Sequence, residues 1–150
     1  MKALVQRVAS ARVEVSGEVV GAIDGGCLVL FCAERGDTRG HADRLLGKIL
    51  RLRIFSDEAG KMNLSLQDLK AQGHPAGLLL VSQFTLAADL SSGNRPGFSR
   101  AAAPEEGRAL YDFFVEQARI QHGQVQTGRF GTEMKVHLVN DGPVTIPIQV

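Results

Sequence analysis

Two short polar motifs contain the residues whose types and spacing could do chemistry. Ser82-Gln83-Phe84-Thr85-Leu86 ends an apolar run that begins at residue 77. A core strand that ends in this way delivers hydroxyls, an amide and backbone N–H groups to one edge of a sheet. The second motif, Asn140-Asp141-Gly142-Pro143-Val144-Thr145, has ordinary turn chemistry. Each motif alone indicates only a strand end or a turn.

Several common chemistries have no motif in this sequence. It contains no P-loop, no H-E-x-x-H, no G-x-S-x-G elbow and no dinucleotide-binding fingerprint. Cys27 and Cys32 lie in one apolar run, and their odd separation on a strand places them on opposite faces, where they share no metal or disulfide. The histidines are scattered and favour surface or capping roles: His41, His74, His122 and His137. We predict no metal and no cofactor.

The size and charge of the chain favour one soluble domain. Its 150 residues suit a single core, and the formal net charge is +1. A general nucleic-acid binder would usually be far more basic, so any RNA contact must use a local patch. The start lacks the apolar run of a signal peptide, and no stretch approaches the roughly 20 apolar residues of a membrane span. The predicted location is the cytoplasm.

The order of elements predicts an α+β fold. Alternation and turn residues predict strands at 2–9, 11–16, 19–23, 27–33, 54–55, 77–84, 133–139 and 144–150. One helix begins at Asp37 or Thr38, and a second begins at Pro104 and ends at Gly123. Residues 61–76 are irregular, with a possible short helix near Leu66 and a break at Gly73-His74-Pro75. We expect a mainly antiparallel, barrel-like sheet with two helices in a single domain, 1–150.

Taken together and in this order, the two motifs resemble the signatures of the D-aminoacyl-tRNA deacylase family, also called the D-Tyr-tRNA(Tyr) deacylase family. The resemblance covers nearly the whole chain. It includes the opening Met-x-Ala-Leu-x-Gln-Arg-Val and the stretches 53–57, 60–64, 95–99 and 126–130. Two departures are the longer segment at residues 73–75 and Pro147, which indicates an edge or a bulge in the last strand.

The resemblance implies which residues form the site. The family hydrolyses the ester between a D-aminoacyl group and the terminal ribose of tRNA. Ser82, Gln83, Phe84 and Thr85 match its catalytic wall. The Gly142-Pro143 dipeptide would have a cis peptide bond and enter the active site of the other subunit of a homodimer. Its carbonyls would hold the substrate α-amino group and leave no room for an L side chain, so glycyl-tRNA would also enter.

Three roles follow as hypotheses. Backbone N–H groups near Phe84 would stabilise the oxyanion of the tetrahedral intermediate. Thr85 would shape the site, while the terminal ribose 2′-hydroxyl and a bound water do the chemistry, since no histidine or lysine is evidently placed to activate it. Arg7 either braces Gly142-Pro143 or lies on an exposed strand face, and Asn140 is a supporting residue.

Contact with tRNA requires cations, and two groups are available. Arg44, Lys48 and Arg51 share one helix face, which is either solvated or phosphate-binding. Arg95 and Arg100 flank the loop before the second helix. Three rival functions remain at this stage: a non-enzymatic RNA-binding module, a serine or threonine hydrolase acting on another ester through Ser82 or Thr85, and a dimeric structural protein.

Overall fold

Strand β1 (Lys2–Val15) organises the sheet, because three other strands pair with it. Its first half pairs with β3 (Gly26–Cys32), and its second half pairs with β2 (Glu18–Ile23). Along its opposite edge it pairs with β8 (Lys135–Gln149). All three pairings are antiparallel. The computed structural model describes residues 1–74 and 76–150.

Two further strands make the sheet mixed, which corrects the prediction of a mainly antiparallel sheet. Strand β6 (Gly77–Ser82) runs parallel to β3, and β7 (Val125–Thr127) runs parallel to β6. A helix-bearing connection separates each of these pairs along the chain. Such a crossover returns the chain to the same end of the sheet, so the next strand runs parallel to the previous one.

The described residues form three helices rather than the two of the predicted fold class: α1 (Arg39–Leu50), α2 (Leu66–Ala71) and α3 (Pro104–Gln121). Helix α2 lies where a short helix was considered possible near Leu66. Thr38 is the N-cap of α1, as expected. The additional helix α2 is capped by Ser65, whose hydroxyl accepts from Asp68 N–H at 3.2 Å. It follows a small hairpin, β4 (Phe55–Ser56) and β5 (Met62–Leu64). The break predicted at residues 73–75 ends at Pro75, outside the described residues.

The core forms two layers because successive strand residues face opposite sides of the sheet. Val29, Phe31, Leu78 and Leu80 pack against α1 and α3, while the alternate residues fill the interior of the barrel. The barrel is nearly closed where β2 meets β7. A Cβ atom added to Gly21 would lie 2.4 Å from Thr127 O, so the backbones meet there only because Gly21 has no side chain.

Strand β8 contains a bulge that projects from the edge of the sheet. It was predicted as two strands joined by a turn, but both parts pair with β1. Asn140 is paired with Val8 and Thr145 with Gln6, so the four residues between them, 141–144, lie opposite Arg7 alone. Strand β8 pairs only with β1 and is an edge strand, as Pro147 indicates. The second polar motif is therefore an exposed protrusion.

Candidate active site

The first polar motif lies where β6 leaves the core. Residues 77–81 are buried, and the chain then turns outward through Gln83 into a 3-10 turn, Phe84–Ala87. The N–H of Gln83 donates to Phe31 O at 2.7 Å and fixes the start of this turn. Within the described residues, the N–H groups of Phe84 and Thr85 have no acceptor. Two adjacent donors at the start of a helical turn suit an oxygen that carries negative charge.

The side chains of this motif contact one another and the loop that follows. Gln83 Nε2 donates to the hydroxyl of Thr85. Phe84 is 59 % exposed and packs edge-on against Phe98, with ring centroids 4.9 Å apart. Ser82 and Gln83 are half-buried, and Thr85 is exposed. The amide and hydroxyl are therefore held together beside two aromatic rings, of which Phe84 is exposed and Phe98 is half-buried.

A cavity of about 810 Å³ opens beside these residues. Ser82, Gln83 and Phe84 line it, whereas Thr85 lies just outside its lining and is held by Gln83. Its walls are mainly apolar and carry four phenylalanine rings, of residues 31, 84, 98 and 130. Its volume lies within the range of small-molecule sites. Broad apolar walls with a few polar groups at one end suit a flat aromatic base joined to a polar ester.

The lining of this cavity has no general base. Of the described residues, no carboxylate, imidazole or amine lines it, and its ionisable groups are Arg35 and the thiol of Cys32. Burial raises the pKa of Cys32 to about 11, so the thiol stays protonated at neutral pH. Cys27 faces the helix layer instead, which confirms that the two cysteines lie on opposite faces, and both thiols are free.

The two remaining polar groups near the core have structural roles. The Tyr111 hydroxyl donates to Leu80 O at 2.8 Å, and burial raises its pKa. His122 Nε2 lies 2.7 Å from Ala76 O, and burial lowers its pKa. Neither side chain lines the cavity. The described residues contain no group of three or more His, Cys, Asp or Glu side chains placed to hold a metal ion.

The second polar motif is held from both sides by its neighbours. Arg7 Nε donates to Asp141 O at 2.9 Å, and Arg7 Nη1 donates to Ile54 O at 2.5 Å. Asn140 Oδ1 accepts from Val144 N–H at 2.8 Å and closes the base of the bulge. The Gly142-Pro143 peptide bond is cis, and both residues are exposed. Arg7 therefore braces the bulge rather than lying free on a strand face.

The two motifs lie far apart within one chain. Pairing places Ser82, Phe31, Ala3 and Ile148 in one row across four strands. At about 4.8 Å per strand, β8 is roughly 14 Å from β6. The bulge lies opposite Arg7, four residues further along β1, which adds about 14 Å in the other direction. Measured along the surface of the sheet, Gly142 and Pro143 are therefore about 20 Å from the cavity wall of their own chain.

Comparison with known proteins identifies the family. The model of the D-Tyr-tRNA(Tyr) deacylase family matches residues 4–149. The chain belongs to this family. It is 68 % identical over 150 residues to a D-aminoacyl-tRNA deacylase of Polaromonas sp. (strain JS666 / ATCC BAA-500), covering 100 % of this chain and 97 % of the relative. It is 67 % identical to that of Variovorax paradoxus (strain S110), covering 100 % and 99 %. The family is one of hydrolases, and this chain is an enzyme.

Solved structures show the same fold. The structure of a c-Myc DNA Unwinding Element Binding Protein superposes with a TM-score of 0.92 at 40 % identity, covering 100 % of this chain and 99 % of the other. A probable eukaryotic D-amino acid tRNA deacylase superposes with a TM-score of 0.78 at 19 % identity, covering 98 % of each chain. At the lower identity, the second likeness concerns the fold alone.

Of the four rings that line the cavity, sequence reasoning assigned only Phe84 to the site. Phe98 and Phe130 stood in stretches with family resemblance, 95–99 and 126–130, and that was the available signal. The guanidinium of Arg108 lies 4.9 Å from the centre of the Phe130 ring and was also missed. Of the cations considered for RNA contact, Arg100 lies 3.8 Å from Asp89, and Arg95 is exposed on the loop.

Proposed function

We propose that this protein hydrolyses the ester of D-aminoacyl-tRNA and releases the D-amino acid and tRNA. Membership of the deacylase family gives the reaction class. The observation that carries the proposal is the apolar cavity, which meets two unpaired N–H groups at the end of β6. The terminal adenine fits against the phenylalanine rings, and the ester carbonyl lies beside the N–H groups of Phe84 and Thr85.

The substrate itself supplies the groups that the cavity lacks. An aminoacyl ester is activated, and the hydroxyl next to it on the ribose can polarise it or take part in proton transfer. No imidazole, amine or carboxylate among the described residues lines the cavity to activate Ser82 or Thr85. A bound water attacks the carbonyl, the N–H groups stabilise the oxyanion, and Thr85 with Gln83 shapes the wall.

Selection of the D configuration comes from a second copy of the chain. About 20 Å separates Gly142-Pro143 from its own cavity, so the bulge serves a site elsewhere. In a homodimer each bulge enters the other subunit's cavity, where its carbonyls hold the substrate α-amino group and exclude an L side chain. The free edge of β8 and Val139, which is 57 % exposed beside the bulge, support such a contact. Glycyl-tRNA also enters, because glycine has no side chain to exclude.

Matched substrates test this proposal. One amino acid is esterified to its tRNA in the D and the L configuration, and hydrolysis by the purified protein is compared with glycyl-tRNA and with no enzyme. We expect kcat/KM for the D ester to exceed that for the L ester by about ten-thousand-fold, which corresponds to about 5.5 kcal/mol between the two transition states. Equal rates for the two mirror-image esters would contradict the proposal. Stable glycyl-tRNA would contradict only the part that concerns glycine.

A further inference from the structure

A second cleft lies between the end of α1 and the last residues of β8. Its volume is about 570 Å³, and three cationic side chains line it: Lys48, Arg51 and Arg53. Leu52 and residues 147–149 form the rest of its wall. All three cations are exposed, and no carboxylate among the described residues lies within 4 Å of them. Three unpaired cations in one concave surface favour an anionic ligand with several charges.

Two of these cations are already positioned by the fold. Arg53 Nε donates to Asn63 O at 2.8 Å, and its Nη2 donates to Asn63 Oδ1, which leaves its other N–H groups available. Arg51 folds back over Gly47, where an added Cβ would lie 3.1 Å from Arg51 Nη2. Side chains that are held before binding lose less conformational entropy when a ligand arrives.

The cleft adjoins β8, three strands away from the cavity wall at β6, and Arg7 links it to the bulge. Arg7 donates to Ile54 O and to Asp141 O, so the residue after Arg53 and the residue before Gly142 contact the same guanidinium. Helix α1 begins after Ala33 and Arg35, which line the cavity, and ends at the cleft. Its 12 residues span about 18 Å, so the cations lie about that far from the cavity end of the helix.

We infer that this cleft binds acceptor-stem phosphates of the tRNA whose ester occupies the other subunit's cavity. The inference rests on the proposed function, since the cleft can serve the neighbouring site only in the proposed homodimer. Each cavity then receives two groups from the opposite chain. The carbonyls of the bulge exclude the L configuration, and the cations of the cleft bind the RNA backbone. The ligand class is an RNA phosphate backbone, recognised through charge and without base contacts.

Charge removal tests the cleft, with a matched control. The variant Lys48→Gln/Arg51→Gln removes two cations from the cleft, and Arg119→Gln/Lys135→Gln removes two exposed cations outside it. For D-aminoacyl-tRNA at 50 mM salt, we expect the cleft variant to raise KM about tenfold. We also expect the slope of log KM against log salt to fall by about 1 to 2, with kcat nearly unchanged. A D-aminoacyl ester of adenosine alone should be hydrolysed at the wild-type rate.

Several outcomes would overturn the inference. An unchanged KM and salt slope would show that the cleft does not bind the RNA. An equal effect of the control variant would assign the effect to overall charge. If the adenosine ester is also hydrolysed more slowly, the substitutions have disturbed the cavity. If the wild-type protein fails to hydrolyse the D ester at all, the proposed function has failed, which is a separate result.

Mixed dimers test whether the cleft serves the other subunit. Ala102→Trp fills the cavity of the chain that carries it. When one chain carries Ala102→Trp and the other carries the two cleft substitutions, the working cavity receives an intact cleft, so KM should stay within twofold of wild type. When one chain carries all three substitutions beside a wild-type chain, KM should rise about tenfold. The reverse pattern would assign the cleft to its own cavity and overturn the cross-subunit inference.

Discussion

The hydroxyl of Thr85 is the residue that most resembles a nucleophile, and its surroundings do not activate it. Its hydrogen-bond partner is the amide of Gln83, which cannot take a proton at neutral pH. A serine or threonine nucleophile requires an adjacent base. In the proposed mechanism, water attacks the carbonyl carbon, and the two N–H groups at the start of the 3-10 turn stabilise the developing charge.

Replacement of Thr85 separates these two roles. We expect Thr85→Val, which keeps the shape and removes the hydroxyl, to retain kcat within about tenfold of wild type. Thr85→Ala should lose somewhat more, because the wall beside Gln83 is then less well defined. Both are measured by single-turnover deacylation of D-aminoacyl-tRNA. Removal of a true nucleophile costs about a million-fold in a well-studied protease, so a loss of that order in Thr85→Val, with an unchanged unfolding transition, would make Thr85 the nucleophile.

Individual elements were predicted with uneven success, and the reasons are physical. The N-cap Thr38 and the helix start at Pro104 were found because the relevant signals are local in sequence. The parallel pairing of β3, β6 and β7 was missed although a connection that contains a helix follows both β3 and β6. A strand–helix–strand order requires a crossover, and that connection favours a parallel return. The continuous β8 was missed because turn residues within a bulge look the same as those in a hairpin.

The residues of the candidate site were also predicted with uneven success. Residues 82–85 and 140–143 were proposed as site residues through the resemblance, and the polar end of a buried strand independently marked the first of them. The cavity's remaining rings were missed because Phe98 and Phe130 are distant in sequence and meet only in the fold. The braced position of Arg7 also depends on tertiary structure, since its partners Ile54 and Asp141 lie 47 and 134 residues away.

The close approach of β2 and β7, where the barrel nearly closes, can be tested by mutation. An alanine at Gly21 would place Cβ 2.4 Å from Thr127 O, so the strands must separate. We expect Gly21→Ala to reduce the free energy of unfolding by about 2 kcal/mol. In Gly25→Ala the nearest atom is 3.9 Å away, so that control should be neutral or slightly stabilising. Urea unfolding measures both, and equal stability of the two variants would show that the barrel does not close there.

At the scale of the whole molecule, the proposed site needs two chains, because one chain cannot bring its own bulge to its own cavity. The cavity and the bulge lie about 20 Å apart on the same rigid sheet. Helix α1 begins near the cavity and ends at the second cleft, whose cations lie beside the last residues of β8. This separation is what a cross-subunit site requires, because a two-fold axis brings the bulge of each chain to the cavity of the other.

Complementation between two defective chains follows from this arrangement. In Gly142→Ala the added Cβ would lie 2.7 Å from Val144 Cγ2 and 2.9 Å from Arg7 Nη2, at a φ of +137°, so the bulge must change shape. That homodimer should lose discrimination between D and L esters, and the Ala102→Trp homodimer should be inactive. The purified mixed dimer has one open cavity, that of the Gly142→Ala chain, and an intact bulge from the other chain. It should therefore hydrolyse the D ester at about half the wild-type rate per dimer and again reject the L ester. If each chain used its own bulge, the mixed dimer would hydrolyse both esters, and selection across the subunits would be wrong.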